Sequence, residues 1–287
     1  MDEEEVRVCE LIRDIADVNK RDAALHELSK RRETFPQMAR YLWFSFGTMA
    51  AFLQEIIAVY PLMNPSTLTA AQSQRVCNCL ALLQCVACHP ETKRYCLKAH
   101  IPLYLYPFLN CSSNSKALEF LRLTALGVIG ALVKGDDPEV LRFLLQSEVV
   151  PLCLRIMDNG NELPQTVATF VVQKVLGQEE GLLYLCATAE RFYAVSSILS
   201  SMVNGTSAGT ATNERVPPTP RLLKHIVKCY LRLCDNRKAR EAFKHCLPEA
   251  FNNDSLSSQI EEDPQIGRWI SQIVLSVQTN QPPTNTD

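Results

Sequence analysis

The chain has 287 residues, of which 47% are hydrophobic and 21% charged, and its formal net charge is -2. That is enough apolar material for one large core or about two ordinary domains, and it excludes wholesale disorder. The near-neutral balance excludes a polyanion-binding character for the chain as a whole, while leaving room for a local basic patch.

The acidic start, Met1 to Glu5, lacks the basic and then apolar order of a secretory signal. No apolar run reaches about 18 residues without an interrupting Lys, Arg, Gln or Glu, so no membrane span and no membrane partner are expected. The sequons at Asn110, Asn204 and Asn253 then read as chance matches. Nearly all of the 12 cysteines fall inside apolar helical stretches. They read as reduced, buried, small hydrophobic residues, which points to cytoplasm and nucleus.

The first predicted helix spans Glu5 to Ala16, with Val6, Cys9, Ile12 and Ile15 or Ala16 on one stripe. Leu25 and Leu28 continue the pattern, and Lys30-Arg-Arg closes that helix, where positive charge suits the dipole. Tyr41 to Tyr60 carries Leu42, Phe46, Met49, Ala50, Leu53 and Ile57 at helical spacing. A repeat follows. Leu82 to Ala87, His89-Pro-Glu, Tyr95-Cys-Leu and Ile101 to Leu105 form one block. Leu126 to Ala131, Asp137-Pro-Glu, Phe143-Leu-Leu and Val150 to Leu154 repeat its layout about 48 residues later. Weaker copies run from Phe170 through Cys186 and from Cys229 through Pro248.

Prolines punctuate these segments, as expected where each opens or closes a short helix. His89-Pro90-Glu91 and Asp137-Pro138-Glu139 read as helix starts. A helical period in the forties predicts an all-α, armadillo/HEAT-type superhelical solenoid of about six helical repeats. An ordinary helical bundle would share the composition but not the spacing. The domain plan is an N-terminal helix with its acidic start over 1–19, an armadillo-repeat domain over 20–277, and a disordered tail over 278–287. A flexible, polar loop rich in Gly, Thr and Pro interrupts the array at 204–218.

Catalytic and cofactor motifs do not emerge. There is no Gly-x-Ser-x-Gly elbow, no phosphate-binding glycine loop and no His-Glu-x-x-His. Glu179-Glu180 and Glu261 to Asp263 read as solvated carboxylates. Cys77 and Cys79, two apart on a helix, point about 200° from each other and cannot share a metal ion. Cys85 and Cys88 share a face, but one with Ala81 and Leu82, so packing is expected rather than zinc. The reading is therefore non-enzymatic, with no cofactor and no metal. Gly127 and Gly130 mark either a close helix approach or a shallow spot on an exposed groove. Arg221, Lys224, Lys228 and Arg232 form a basic stripe, read as a solvated face, an acidic-peptide groove or a weak nucleic-acid path. The absence of interleaved aromatic residues tells against the last.

Particular runs resemble one family: Leu82 to Ala87, His89 to Thr92, Ala99 to Leu103, Tyr106 to Leu109 and Leu126 to Lys134. Pro151 to Met157, Thr166 to Phe170, Arg221 to His225 and Cys229 to Leu233 add to the likeness. They resemble the "required for cell differentiation" (Rcd-type) family over roughly residues 20 to 275, whose members are subunit nine of the CCR–NOT mRNA deadenylase complex. The resemblance implies a non-catalytic docking subunit that binds the large NOT scaffold and promotes mRNA decay and translational repression. The scaffold contact would use Phe44, Phe46 and Ala50. Tryptophan-containing and short helical motifs of silencing and RNA-binding proteins would dock on Ala70, Phe120, Thr124, Gly127, Val167, Arg191 and Arg221. Phe44 stands where the family commonly has histidine, and Phe120 where it has tyrosine. Whether a second copy of the chain is also a partner stays open.

Overall fold

Helix starts are the clearest local instruction in this chain, because each unpaired first-turn N–H needs an acceptor. In the computed structural model, which describes residues 3–63, 67–111, 115–205 and 217–283, these starts are met by named side chains. Thr69 and Gln72 form a reciprocal capping box. His89 Nδ1 accepts from the Glu91 N–H and an Asp137 carboxylate oxygen from the Glu139 N–H, each one residue before a proline. Seventeen α-helices result, and no β-strand occurs among the described residues.

The chain divides into two compact units, Met1–Gly135 and Asp136–Asp287. The first holds α1 (Glu3–Asp14), α2 (Arg21–Arg31), α3 (Met38–Phe44), α4 (Thr48–Ala58), α5 (Ala70–Cys88), α6 (Pro90–Lys98), α7 (Tyr106–Asn110) and α8 (Lys116–Val133). Two short crossing elements precede each long helix: α3 and α4 before α5, then α6 and α7 before α8. The long α5 packs along α2 and along α8. It buries Val76, Cys79, Leu80, Leu82, Leu83 and Val86, a spread wider than one stripe, as a helix flanked by two others requires.

The second unit repeats the scheme with α9 (Pro138–Gln146), α10 (Val149–Asn159) and α11 (Glu162–Gly177), then α12 (Glu179–Cys186), α13 (Ala189–Val203) and α14 (Pro220–Leu233). The last set is α15 (Arg237–Cys246), two 3₁₀ turns, α16 (Ser257–Glu262) and α17 (Pro264–Thr279). Here α14 packs against both α11 and α17. Tyr230 of α14 is fully buried and meets Phe243 and Phe251 at ring-centroid distances of 5.3 and 5.2 Å, so aromatic contacts close the end of the unit.

Two predicted stripes sit differently in the fold. In α1 the buried side chains are Val8, Leu11 and Ile12, followed by Ile15, while Val6 is exposed and Cys9 half-buried. The face with more aliphatic bulk turned inward. The predicted helix over Tyr41–Tyr60 is two helices meeting at 88°. Ser45 is extended and Gly47 takes φ 78°, so the second helix is rotated about the chain and buries Thr48, Ala51, Phe52 and Ile56. Phe46, Ala50 and Ile57 of the expected stripe are left on the surface.

Of the segment expected as a loop over 204–218, Asn204 caps α13 and residues 206–216 lie outside the described residues. At the other end α17 runs to Thr279, Asn280 takes a left-handed turn, and Ser276 Oγ donates to the Gln281 carbonyl at 2.5 Å. Residues 284–287 of the expected tail lie outside the described residues.

Candidate functional site

The rotation at Gly47 gives the first unit an apolar corner that is exposed among the described residues. Phe46 is wholly exposed at 104% and Phe44 is 55% exposed. Ala50 and Ile57 are exposed on α4 and Leu53 is half-buried, so these three form an outward row at helical spacing, with Phe46 just before the helix at the bend. Phe44 is braced from below: its ring meets Tyr95 edge-on at 6.0 Å, and Tyr95 stacks on Trp43 at 6.0 Å. Ala70 is exposed at the first turn of α5, beside the Thr69 cap.

A second surface of this unit lies on α8. Phe120, Thr124 and Gly127 fall on one face, with Phe120 63% exposed. Thr124 Oγ1 donates to the Phe120 carbonyl at 2.7 Å and approaches Cys77 Sγ of α5 at 3.6 Å. A Cβ added at Gly127 would meet only the Gln84 amide group, at 3.7 to 3.9 Å, an ordinary contact with the far end of a flexible side chain. Gln84 also lines a cavity of about 510 Å³ with Arg32, Phe35, Met38, Cys85 and Cys88. Gln84 escaped the sequence reading because the cavity forms only where the turn after α2 lies against α5.

The cysteine face needs a correction. Cys85 is half-buried and Cys88 exposed, so their face borders that cavity instead of joining the core. Burial still pushes the Cys85 thiol up to about 11, which keeps it protonated. Cys77 faces Thr124 while Cys79 is fully buried on another side of α5. Among the described residues no three His, Cys, Asp or Glu side chains gather as a metal ligand set.

In the second unit Val167 is half-buried on α11 and Arg221 exposed on the first turn of α14. Phe170 of α11 meets His225 of α14 edge-on at 5.7 Å, and His225 Nδ1 shares a 2.6 Å hydrogen bond with Gln173 Oε1. These contacts join the Val167 and Arg221 helices into one face. Arg191 is placed elsewhere, at the start of α13, with its guanidinium 4.0 Å from the Tyr184 ring centre. Half of the basic stripe is neutralised: Lys224 pairs with Asp263 at 2.8 Å, and Arg232 with Glu179 and Asp235 at 2.8 and 2.6 Å. Nor is it free of aromatic partners, since the Lys224 and Lys228 ammonium groups lie 5.6 and 5.1 Å from the Trp269 ring centre. Trp269 comes from α17, too distant in sequence to be read with α14. Burial first, then Lys228, Arg221 and Lys224, lower the His225 pKa to about 4.

The profile described as "Cell differentiation family, Rcd1-like" matches residues 11–277. The chain belongs to this family. It is 53% identical over 270 residues to the cell differentiation protein rcd1 of Schizosaccharomyces pombe, covering 94% of this chain and 93% of that protein. It is 49% identical over 258 residues to Protein CAF40 of Saccharomyces cerevisiae, covering 90% and 67% respectively. Among solved structures, it resembles a designed armadillo repeat protein in complex with the peptide (KR)4, with a TM-score of 0.65 at 12% identity over 93% of this chain and 98% of that one. A second designed armadillo repeat protein gives a TM-score of 0.66 at 13% identity, over 94% and 99%. Likeness at that identity is one of fold, and the fold of this Rcd1-like chain is an all-α, armadillo-type solenoid.

Proposed function

We propose that this Rcd1-like chain is a non-catalytic docking subunit of the CCR–NOT deadenylase complex, acting in cytoplasm and nucleus. It binds the large NOT scaffold through Phe44, Phe46 and Ala50, and it recruits mRNA-bound repressors through short peptide motifs. The observation that carries this reading is the exposed Phe46 at the bend beside the α4 row of Ala50, Leu53 and Ile57. Burying one such aromatic side chain is worth about 1.5–3 kcal/mol, and a partner helix supplies the burial that the chain itself does not.

Binding of the scaffold's helical region by purified variants tests it. Phe46→Ala should cut affinity at least about 10-fold with an unchanged melting temperature, since its side chain makes no buried contact. Phe52→Ala, at a site only 1% exposed, should instead cost about 3–5 kcal/mol of folding stability. Undiminished scaffold binding by Phe46→Ala would remove the corner from the interface.

Peptide docking is supported by the α8 face of Phe120, Thr124 and Gly127 and by the face that joins Val167 to Arg221. The alternative, direct nucleic-acid binding along α14, is weakened because Lys224 and Arg232 already hold carboxylates.

A further inference from the structure

The cations on α14 are not equivalent. Lys224 and Arg232 are paired, and Lys174 of the neighbouring α11 holds Asp136 at 2.9 Å. Lys228 and Arg221 have no carboxylate at ion-pair distance among the described residues. Lys228 is also half-buried, with its ammonium 5.1 Å from the Trp269 ring centre; burial, Lys224 and Lys174 disfavour its charged form, while Asp263, already paired with Lys224, favours it. A cation packed on an aromatic face keeps ammonium N–H groups free for an acceptor. It has also surrendered part of its hydration before any ligand arrives, so a carboxylate placed there gains more than at an exposed lysine.

What surrounds it indicates the kind of anion. Two unpaired cations seven residues apart, roughly 10 Å along a helix, are too few for a path that neutralises successive phosphates. On α11 the residues Val167, Phe170 and Lys174 share one side, so the same face runs from apolar to cationic.

We propose that Lys228, seated on Trp269, anchors the carboxylate of an Asp or Glu in a docked peptide whose apolar residue lies on Val167 and Phe170. The proposal rests on the peptide-docking reading above and adds a charge requirement to it. An amphipathic helix with an acidic residue about two turns from its apolar anchor has the matching chemistry, and the lysine selects it over neutral helices.

His225 supplies an internal reporter. It faces Arg221, Lys224 and Lys228 of its own helix and Gln173 and Phe170 of α11, while Lys174 and Asp263 act on Lys228 itself. A carboxylate on Lys228 offsets the positive field that helps hold the imidazole neutral, so the His225 pKa of about 4 should rise on binding.

The test uses the full chain and a displayed random dodecapeptide library, selected in parallel on wild type, Lys228→Gln and Lys228→Arg. Wild type and Lys228→Arg should enrich peptides with an acidic position at fixed distance from an apolar one. Lys228→Gln should keep the apolar position and lose the acidic one, with an unchanged melting temperature. The leading wild-type peptide should raise the His225 pKa in an NMR titration, and its copy with Gln for the acidic residue should bind about 10-fold more weakly and leave that pKa low. Enrichment of apolar positions alone on wild type overturns the charge requirement while leaving docking intact. No enrichment on any of the three proteins sinks the docking reading itself, and this proposal with it. If Lys228→Gln instead weakens binding of a twelve-nucleotide uridine RNA with a steep salt dependence, while the selected peptides do not change, the lysine serves nucleic acid.

Discussion

Gly127 shows how one residue separates two uses of a helix. A glycine inside α8 costs roughly 1 kcal/mol relative to alanine. Backbone geometry does not demand it, since its φ is negative and a Cβ would touch nothing closer than the Gln84 amide at 3.7 Å. Its neighbour is a half-buried polar side chain that can swing away, on a face it shares with the exposed Phe120. Gly127→Trp is therefore expected to keep the melting temperature within a few degrees and to keep scaffold binding, while abolishing capture of short helical repressor motifs. A fall of stability by several kcal/mol would instead mark the position as a core contact. The same reasoning explains why the thiols resist a functional reading: five of the twelve are buried, and burial pushes Cys96, Cys153 and Cys234 to about 12.

At the level of elements, the bend between α3 and α4 decides which apolar row faces outward. Gly47 holds φ 78°, and a Cβ at this position would meet nothing within 4 Å, so substitution there strains only the backbone. Gly47→Ala should cost about 1–2 kcal/mol, read from chemical denaturation, and should weaken scaffold binding because Phe44 and Phe46 flank the bend. Normal affinity in a destabilised Gly47→Ala protein would show that the corner tolerates changes in its own geometry. The long helices of each unit need no such device. In the first unit α5 lies between α2 and α8, and in the second α14 lies between α11 and α17. Each buries residues toward the helices on both sides, and neighbour stacking does the stabilising.

For the whole molecule, the charge balance sets the expected response to salt. The net charge is -2, and two of the four cations of the basic stripe, Lys224 and Arg232, are paired within the fold. Scaffold binding through Phe46 and its row is apolar, so its affinity should change less than about 3-fold between roughly 50 and 500 mM salt. A loss of several orders of magnitude over that range would assign the interaction to a set of phosphate-like ionic contacts. Fluorescence anisotropy with the labelled scaffold region across the salt series distinguishes the two outcomes.

The repeat and the helix starts were legible from residue order, because capping, proline placement and the period of about 48 residues act over short distances along the chain; the family was legible from the likeness of particular runs such as Leu126 to Lys134. His89-Pro90 and Asp137-Pro138 cap helices as read, and the all-α solenoid follows from them. The burial of particular faces was another matter. Val6 and Val8 both fit a helical stripe, as do Phe46 and Phe52, and spacing alone does not choose between them. Contacts from elsewhere made the choice: packing drew Val8 and Phe52 inward and left Phe46 outside. Ion pairing behaved alike, since the stripe on α14 looked uniform until Asp263 took Lys224 and Trp269 came beneath Lys228. Local order determined where helices begin and how often they recur; only the tertiary structure decided which side of each is covered, because burial and charge neutralisation depend on neighbours far away in sequence.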